Sequence, residues 1–237
     1  YNKSMKSLVR LTANYAMQPI DDPKMLARIK KTIKTAKEIA CPAFVWDVYD
    51  LDWETNGIRL RSTDLLLKGN LAQGMLKDCE KCIVFGASLG AAFDLYFKRM
   101  KSLDPQEAFL FNAAGSALIE IFMRDQEIQL KKQFPDWFFT DAFSCGYADL
   151  PMELQPAIIE TLDLENKLSI VLENPALIRP EKSVTAFIGL SKKPQPHPIK
   201  ICSSCESIEC SFKSKDGKTC YEQLDIKNMQ KSPDIYP

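Results

Sequence analysis

Four cysteines crowd one end of the chain as C-x2-C-x4-C-x9-C: Cys202, Cys205, Cys210 and Cys220. Four thiolates converging on one centre suit tetrahedral zinc or an iron–sulfur cluster. The opening Cys202-x-x-Cys205 is a chelating turn, and the nearby Lys213, Lys215 and Lys218 favour the thiolate form. Bound metal would also supply folding energy to a stretch with few apolar residues. The spacing matches neither the usual zinc nor the usual cluster pattern, so an oxidised dithiol or free thiols stay open beside zinc and iron–sulfur.

Four more cysteines lie upstream. Cys82 starts an apolar run and is expected in the core as a small hydrophobe, leaving Cys79 as the accessible partner of that second C-x2-C. Cys41, at the end of a helix, is expected in the core. Cys145 lies beside Gly146 in a loop and is expected to line a pocket. The single histidine, His197, sits in Pro194-Gln195-Pro196-His197-Pro198, an extended and solvent-facing stretch. Catalysis that relies on a rigidly held imidazole therefore has no candidate residue.

The 237 residues carry 31 Lys+Arg against 31 Asp+Glu, a balance that argues against a polyanion as the main partner. A hydrophobic fraction of 46% excludes a disordered chain. The longest apolar run, Cys82 to Phe97, is interrupted by Gly86, Gly90 and Asp94 and falls short of a membrane helix. No charged-then-apolar leader follows Tyr1, so a cytoplasmic protein without membrane attachment is expected.

The elements that must position these residues can be read locally. Asp22-Pro23 starts an amphipathic helix carrying Met25, Leu26, Ile29, Ile33 and Ala36, with Lys30, Lys31, Lys34 and Lys37 on a solvated face. Ala43 to Trp53 reads as a strand that turns at Asn56-Gly57 into Ile58–Arg61. Ser62-Thr63-Asp64 offers caps for a helix running to Leu76. Cys82–Phe85 is a short strand, and a helix follows Gly90. Asp104-Pro105 opens the longest helix, which runs to about Lys132; its slim segment Asn112–Ala117 predicts close approach of another element. Glu120 on that helix either faces solvent or has a partner, because an unpaired buried carboxylate is costly. Further elements are expected at 151–162, 168–172 and 183–190. The pattern gives an α+β fold, with residues 1–191 as one domain, 192–201 as a Pro-rich spacer and 202–237 as a Cys-rich tail.

Several stretches occur in one order: KDCEKCIVFGASLG (77–90), NAAGSALIE (112–120), FSCGYADLPMELQ (143–155) and PEKSVTAFIGLS (180–191), followed by the Cys202/Cys205/Cys210 cluster. Together they resemble stand-alone relatives of the S-adenosylmethionine-binding activation domain of cobalamin-dependent methionine synthase. The resemblance covers most of the chain.

It implies a largely antiparallel, twisted sheet with flanking helices, and a protein that assists a vitamin B12 methyltransferase as an accessory subunit. Such a subunit binds S-adenosylmethionine and positions its methyl group for reductive methylation of cob(II)alamin carried by the partner. The implied partners are a cobalamin-binding methionine synthase or corrinoid protein and a flavodoxin- or ferredoxin-type electron donor, with no nucleic acid. The residues that match the binding motif are Ser144, Cys145, Gly146 and Tyr147, with Glu120 as the matching helix carboxylate. One position departs: where the family carries Arg, two residues before Ser144, this chain has Ala142, which removes a bidentate clamp for the ligand carboxylate. Arg179 or Arg124 would have to take that role. The competing reading is an adaptor or electron-transfer protein of the same fold that has lost the methyl donor and uses a Cys-ligated tail. A zinc-stabilised structural protein is a third.

Overall fold

The computed structural model describes residues 2–195 apart from 175 and 176. His197 and the four tail cysteines lie outside the described residues. In chain order the elements are α1 (Asn2–Tyr15), α2 (Pro23–Ile39), β1 (Ala43–Glu54), β2 (Gly57–Leu60), β3 (Leu66–Leu67), α3 (Asn70–Leu76), β4 (Lys81–Ser88), α4 (Ala91–Leu103), α5 (Pro105–Gln133), β5 (Phe138–Phe139), α6 (Gln155–Leu162), α7 (Leu164–Leu168), β6 (Val171–Asn174), β7 (Leu177–Arg179) and β8 (Ser183–Ser191). Six strands form one twisted sheet in the order β3-β2-β1-β4-β8-β5, and every pairing in it is antiparallel. The α+β architecture with an antiparallel sheet and flanking helices is therefore the observed one. β6 and β7 form a separate hairpin.

Alternation along the central strands sorts the core into two faces. Ile83, Phe85, Ala186, Ile188 and Leu190 point toward the C-terminal half of α5, where Leu130 meets them. Cys82, Val84 and Phe187 point the other way, into a cluster with Leu76, Ile158, Leu162 and Leu164 from α3, α6 and α7. Gly86 belongs to that second face: a Cβ there would come within 2.7 Å of a Leu164 methyl. On the first face α1, α2 and α4 add a second helical layer over α5.

Local chemistry explains most boundaries. Asp22 accepts from Lys24 N at 2.9 Å and Pro23 occupies the first helical position, so α2 starts where expected. Asp104 caps α5 in the same way, accepting from Gln106 N and Glu107 N at 3.1 Å each. The slim segment of α5 does admit a close neighbour: the ring of Phe93 on α4 lies where a Gly115 side chain would project, 2.5 Å from its Cβ position.

Three local expectations are overturned. No helix starts at Ser62. Thr63 instead donates to Leu60 O at 2.7 Å and accepts from Leu65 N at 3.1 Å, a local side-chain turn that competes with helix nucleation. Leu66–Leu67 then pair with Ile58–Arg59, and Gly69, at φ +102°, separates that strand from α3. Cys79 is buried, because its thiol fills the space that Gly189 leaves empty on β8. Cys41 is exposed: it lies between the end of α2 and β1, with its N–H donating to Leu89 O at 2.9 Å and its thiol to Ile39 O at 3.9 Å. The first helix, α1, has no counterpart in the sequence reading.

One buried polar pair offers a stability test. Gln155 Nε2 donates to Thr185 Oγ1 at 2.7 Å with both residues buried. Thr185→Val keeps the shape but leaves that amide unpaired, so urea unfolding should show a loss of about 1–3 kcal/mol, with Thr185→Ser close to wild type. Equal stability of all three proteins would show that the bond contributes nothing.

Candidate functional site

The stretch from Thr140 to Leu150 runs along the outer side of β8 and closes into a turn. Thr140 starts it, with its N–H donating to Gly189 O at 3.0 Å and its Oγ1 accepting from Gly189 N at 2.8 Å. Phe143 continues it through a reciprocal pair with Phe187: Phe143 N to Phe187 O at 3.0 Å and Phe187 N to Phe143 O at 2.8 Å. Their rings lie 5.5 Å apart in the buried cluster beneath α6. Strand alternation then sends Ala142 to the opposite face, where it packs half-buried against the cluster that contains Ile188, Leu130 and Phe139.

Beyond Phe143 the chain folds on itself. Tyr147 N donates to Ser144 O at 3.2 Å, Leu150 N to Tyr147 O at 2.9 Å and Gly146 N to Leu150 O at 2.9 Å. Gly146 sits at φ +81°, a conformation that favours glycine, and Met152 Sδ packs 2.7 Å from where a Cβ would project. The turn presents the Tyr147 ring to solvent at 43% exposure and keeps Ser144 and Cys145 half-buried. Burial pushes the Cys145 thiol up to about 11, which favours the neutral thiol near neutral pH. Burial likewise raises Cys79, to about 12, and Cys82, which lies deeper still.

Ser144, Cys145, Gly146 and Tyr147 are thus brought together in one turn. Glu120 is held elsewhere, on α5, where its Oε2 accepts from the Tyr15 hydroxyl of α1 at 2.9 Å. Of the two arginines considered as substitutes at position 142, Arg179 is engaged by Glu173 and Glu181. Arg124 lies 3.7 Å from Asp125. Two lysines reach rings of the cluster that also holds Ala142: Lys192 Nζ lies 3.8 Å from the ring of Trp137, and Lys131 Nζ lies 5.7 Å from the ring of Phe139 while pairing with Glu127 at 2.7 Å.

Two contributors escape a sequence reading. Asp149 closes the turn by docking on α3, accepting from Asn70 N at 2.5 Å and Leu71 N at 2.9 Å. Gly69 makes room for it, since a Cβ there would sit 2.8 Å from the Asp149 carboxyl carbon. An open hollow of about 440 Å³ follows the turn, lined by Asp64, Leu66, Lys68, Pro151, Glu153 and Leu154. The only signal in the sequence was the Gly-Tyr-Ala-Asp-Leu-Pro run, and nothing in it points to a partner 79 residues away.

The N–H groups of Leu71 and then Asn70 hold the Asp149 carboxyl below its ordinary value. A depressed carboxyl contributes stability above its unfolded value, near pH 4, and loses that contribution as pH falls through its folded value. Wild type should therefore melt higher than Asp149→Asn at pH 7, and the gap should close below about pH 4. A gap that persists unchanged to pH 2.5 would show that the charge is not what docks the turn.

Among the described residues no cluster of three or more His, Cys, Asp or Glu could hold a metal ion. Among them, too, no helix is long and apolar enough to cross a membrane. No family model and no curated protein matches the chain. Among solved structures, the fold is similar to that of the MetH reactivation domain bound to AdoHcy, with a TM-score of 0.58 over 90% of this chain and 75% of that one. Sequence identity is 13%, so what the two share is a fold.

Proposed function

We propose that this chain binds an S-adenosylmethionine-type ligand at the 144–147 turn and serves as an accessory subunit in the reactivation of a cobalamin-dependent methyltransferase. The observation that carries the reading is the coincidence of two independent features. A fold similar to a reactivation domain with AdoHcy bound extends over 90% of the chain. Within it, the turn that matches the family's binding motif is built as a glycine-dependent, solvent-facing feature at the sheet edge.

The residues present suit the nucleoside end of such a ligand. Gly146 holds the turn at φ +81°, the exposed Tyr147 ring offers a stacking face, and Ser144 offers a hydroxyl. The carboxylate end has no guanidinium at position 142, and the cations set over rings of that cluster are Lys192 and Lys131. When bound, S-adenosylmethionine supplies an electrophilic methyl group on a sulfonium. The chain's contribution is to bind and orient, which requires no side chain to exchange a proton. The partners in this reading are a corrinoid protein and a flavodoxin- or ferredoxin-type donor. The four tail cysteines, with zinc or an iron–sulfur cluster, remain part of the proposal as a separate module.

Titration calorimetry with S-adenosylmethionine and S-adenosylhomocysteine tests this directly. Saturable binding at or below millimolar ligand, weakened about tenfold or more by Tyr147→Ala, is the expected result. Absence of heat for both ligands, with and without a corrinoid protein, refutes the reading. Iron and sulfide analysis after anaerobic purification separates it from the electron-transfer alternative, which requires a cluster.

A further inference from the structure

The stretch Asp64-Leu65-Leu66-Leu67-Lys68 alternates as extended chain with one solvent side must. Leu65 and Leu67 are fully buried, and Asp64, Leu66 and Lys68 all turn to the hollow beside the 144–147 turn. Leu66 is half-buried there and the two charged residues are exposed. Pairing of Leu66–Leu67 with Ile58–Arg59 fixes this wall. The rest of the lining is Pro151, Glu153 and Leu154, from the segment between the turn and α6. That segment is held at both ends. Asp149 is docked on Asn70 and Leu71 before it, and the buried Gln155 donates to Thr185 at 2.7 Å after it.

The hollow thus joins an apolar lining to three charges of mixed sign, Asp64, Lys68 and Glu153. Among the described residues none of these three forms an ion pair or a side-chain hydrogen bond. Charges on the adjoining β1–β2 strands behave differently: Arg59 pairs with Glu54 at 2.5 Å, and Arg61 with Asp50 at 3.1 Å and Asp52 at 2.6 Å. A volume of about 440 Å³ lies within the range of small-molecule sites, roughly 300–1,000 Å³.

We infer that this hollow binds a free α-amino acid with an apolar side chain, at a site separate from the 144–147 turn. Lys68 receives the carboxylate, Asp64 and Glu153 receive the ammonium, and Leu66, Pro151 and Leu154 take the side chain. Other ligand chemistries leave a charge unanswered. A phosphate would meet Lys68 but be repelled by two carboxylates. A simple amine, a peptide N-terminus or a sugar diol would suit the carboxylates and leave Lys68 without an anion. The hollow adjoins the turn through Met152, whose Sδ packs against Gly146. None of its lining residues belongs to the turn itself, so the site stands independently of the proposed function.

Titration calorimetry of the full chain with L-leucine tests this. Saturable binding at millimolar ligand or tighter is expected, with glycine about tenfold weaker for want of a side chain. N-acetyl-L-leucine, which lacks the ammonium, and L-leucinamide, which lacks the carboxylate, should each bind about tenfold more weakly than leucine. Lys68→Met should weaken leucine about tenfold and leave leucinamide unchanged. Asp64→Asn/Glu153→Gln should weaken leucine to a similar degree without weakening N-acetyl-L-leucine. The substituted side chains are exposed, so both variants should keep wild-type melting. No heat with leucine up to about 50 mM, equal binding of either blocked analogue, or unchanged leucine affinity in either variant overturns the inference. Displacement of bound leucine by S-adenosylmethionine overturns it too, by making the hollow part of the turn's own site. Absence of S-adenosylmethionine binding with leucine binding intact refutes only the proposed function.

Discussion

Phe143→Ala is expected to cost about 3–5 kcal/mol, the range for truncating a fully buried aromatic ring. In a protein of this size that lowers the melting temperature by roughly 6–20 °C. The ring is completely buried and packs tilted against Phe187 at 5.5 Å, within the cluster shared by α3, α6 and α7. Phe143 is also the last anchor before the 144–147 turn, through its two backbone bonds to Phe187. Loss of the ring should therefore weaken ligand binding as well as stability. Phe143→Leu separates the two effects: it restores much of the buried volume, and ligand affinity should recover along with melting temperature. If Phe143→Ala melts within 2 °C of wild type, the ring is not the anchor described above, since that drop corresponds to at most about 1 kcal/mol.

Ala142→Arg should raise affinity for S-adenosylmethionine about 10- to 100-fold, the equivalent of roughly 1.5–3 kcal/mol for a charge-assisted hydrogen bond in a partly dry site. The surroundings can take the longer side chain. Ala142 is half-buried on the α5 face, so the stem of an arginine would lie along the cluster of Ile188, Leu130 and Phe139 and carry its head to the rim. Ala142→Lys should gain less, because an ammonium gives no bidentate pairing. Calorimetry on the three proteins, with decarboxylated S-adenosylmethionine as a control, isolates the carboxylate. An equal gain for the control would mean that the guanidinium meets some other part of the ligand. No gain at all would place the ligand carboxylate away from position 142.

What could be read along the chain was whatever is settled by residues within a few positions of one another. Asp22-Pro23, Asp104-Pro105 and the Asn56-Gly57 turn each satisfy or redirect the backbone locally, and the structure places element ends at all three. Apolar periodicity similarly identified the buried faces of α2 and the central strands. The 62–65 stretch failed because the same Ser/Thr/Asp residues that cap helices also make side-chain turns, and the choice went to β3 once Ile58 and Arg59 offered a strand to pair with.

Burial was hardest to assign for residues at element ends. Cys79 and Cys41 both lie there, and only the neighbours across the fold decide between them: Gly189 leaves a space for one, while nothing covers the other. Glu120 illustrates the same limit. Its surroundings on α5 left solvent or a partner as the two choices, and the partner, Tyr15, comes from a helix 105 residues earlier.

By itself the sequence determined the fold class, the principal helix caps and the glycine-dependent turn at Gly146, because each of these depends on local backbone preference or apolar patterning. Tertiary structure alone decided that Asp149 docks that turn on α3, and that Ala142 faces α5 while Phe143 faces α6. It also decided that the positive charges of α1 and α2 are joined by those of α4 on one surface. The reason is physical. Zero net charge is a sum over the chain, whereas a partner responds to the local field, and only packing determines which charges share a face.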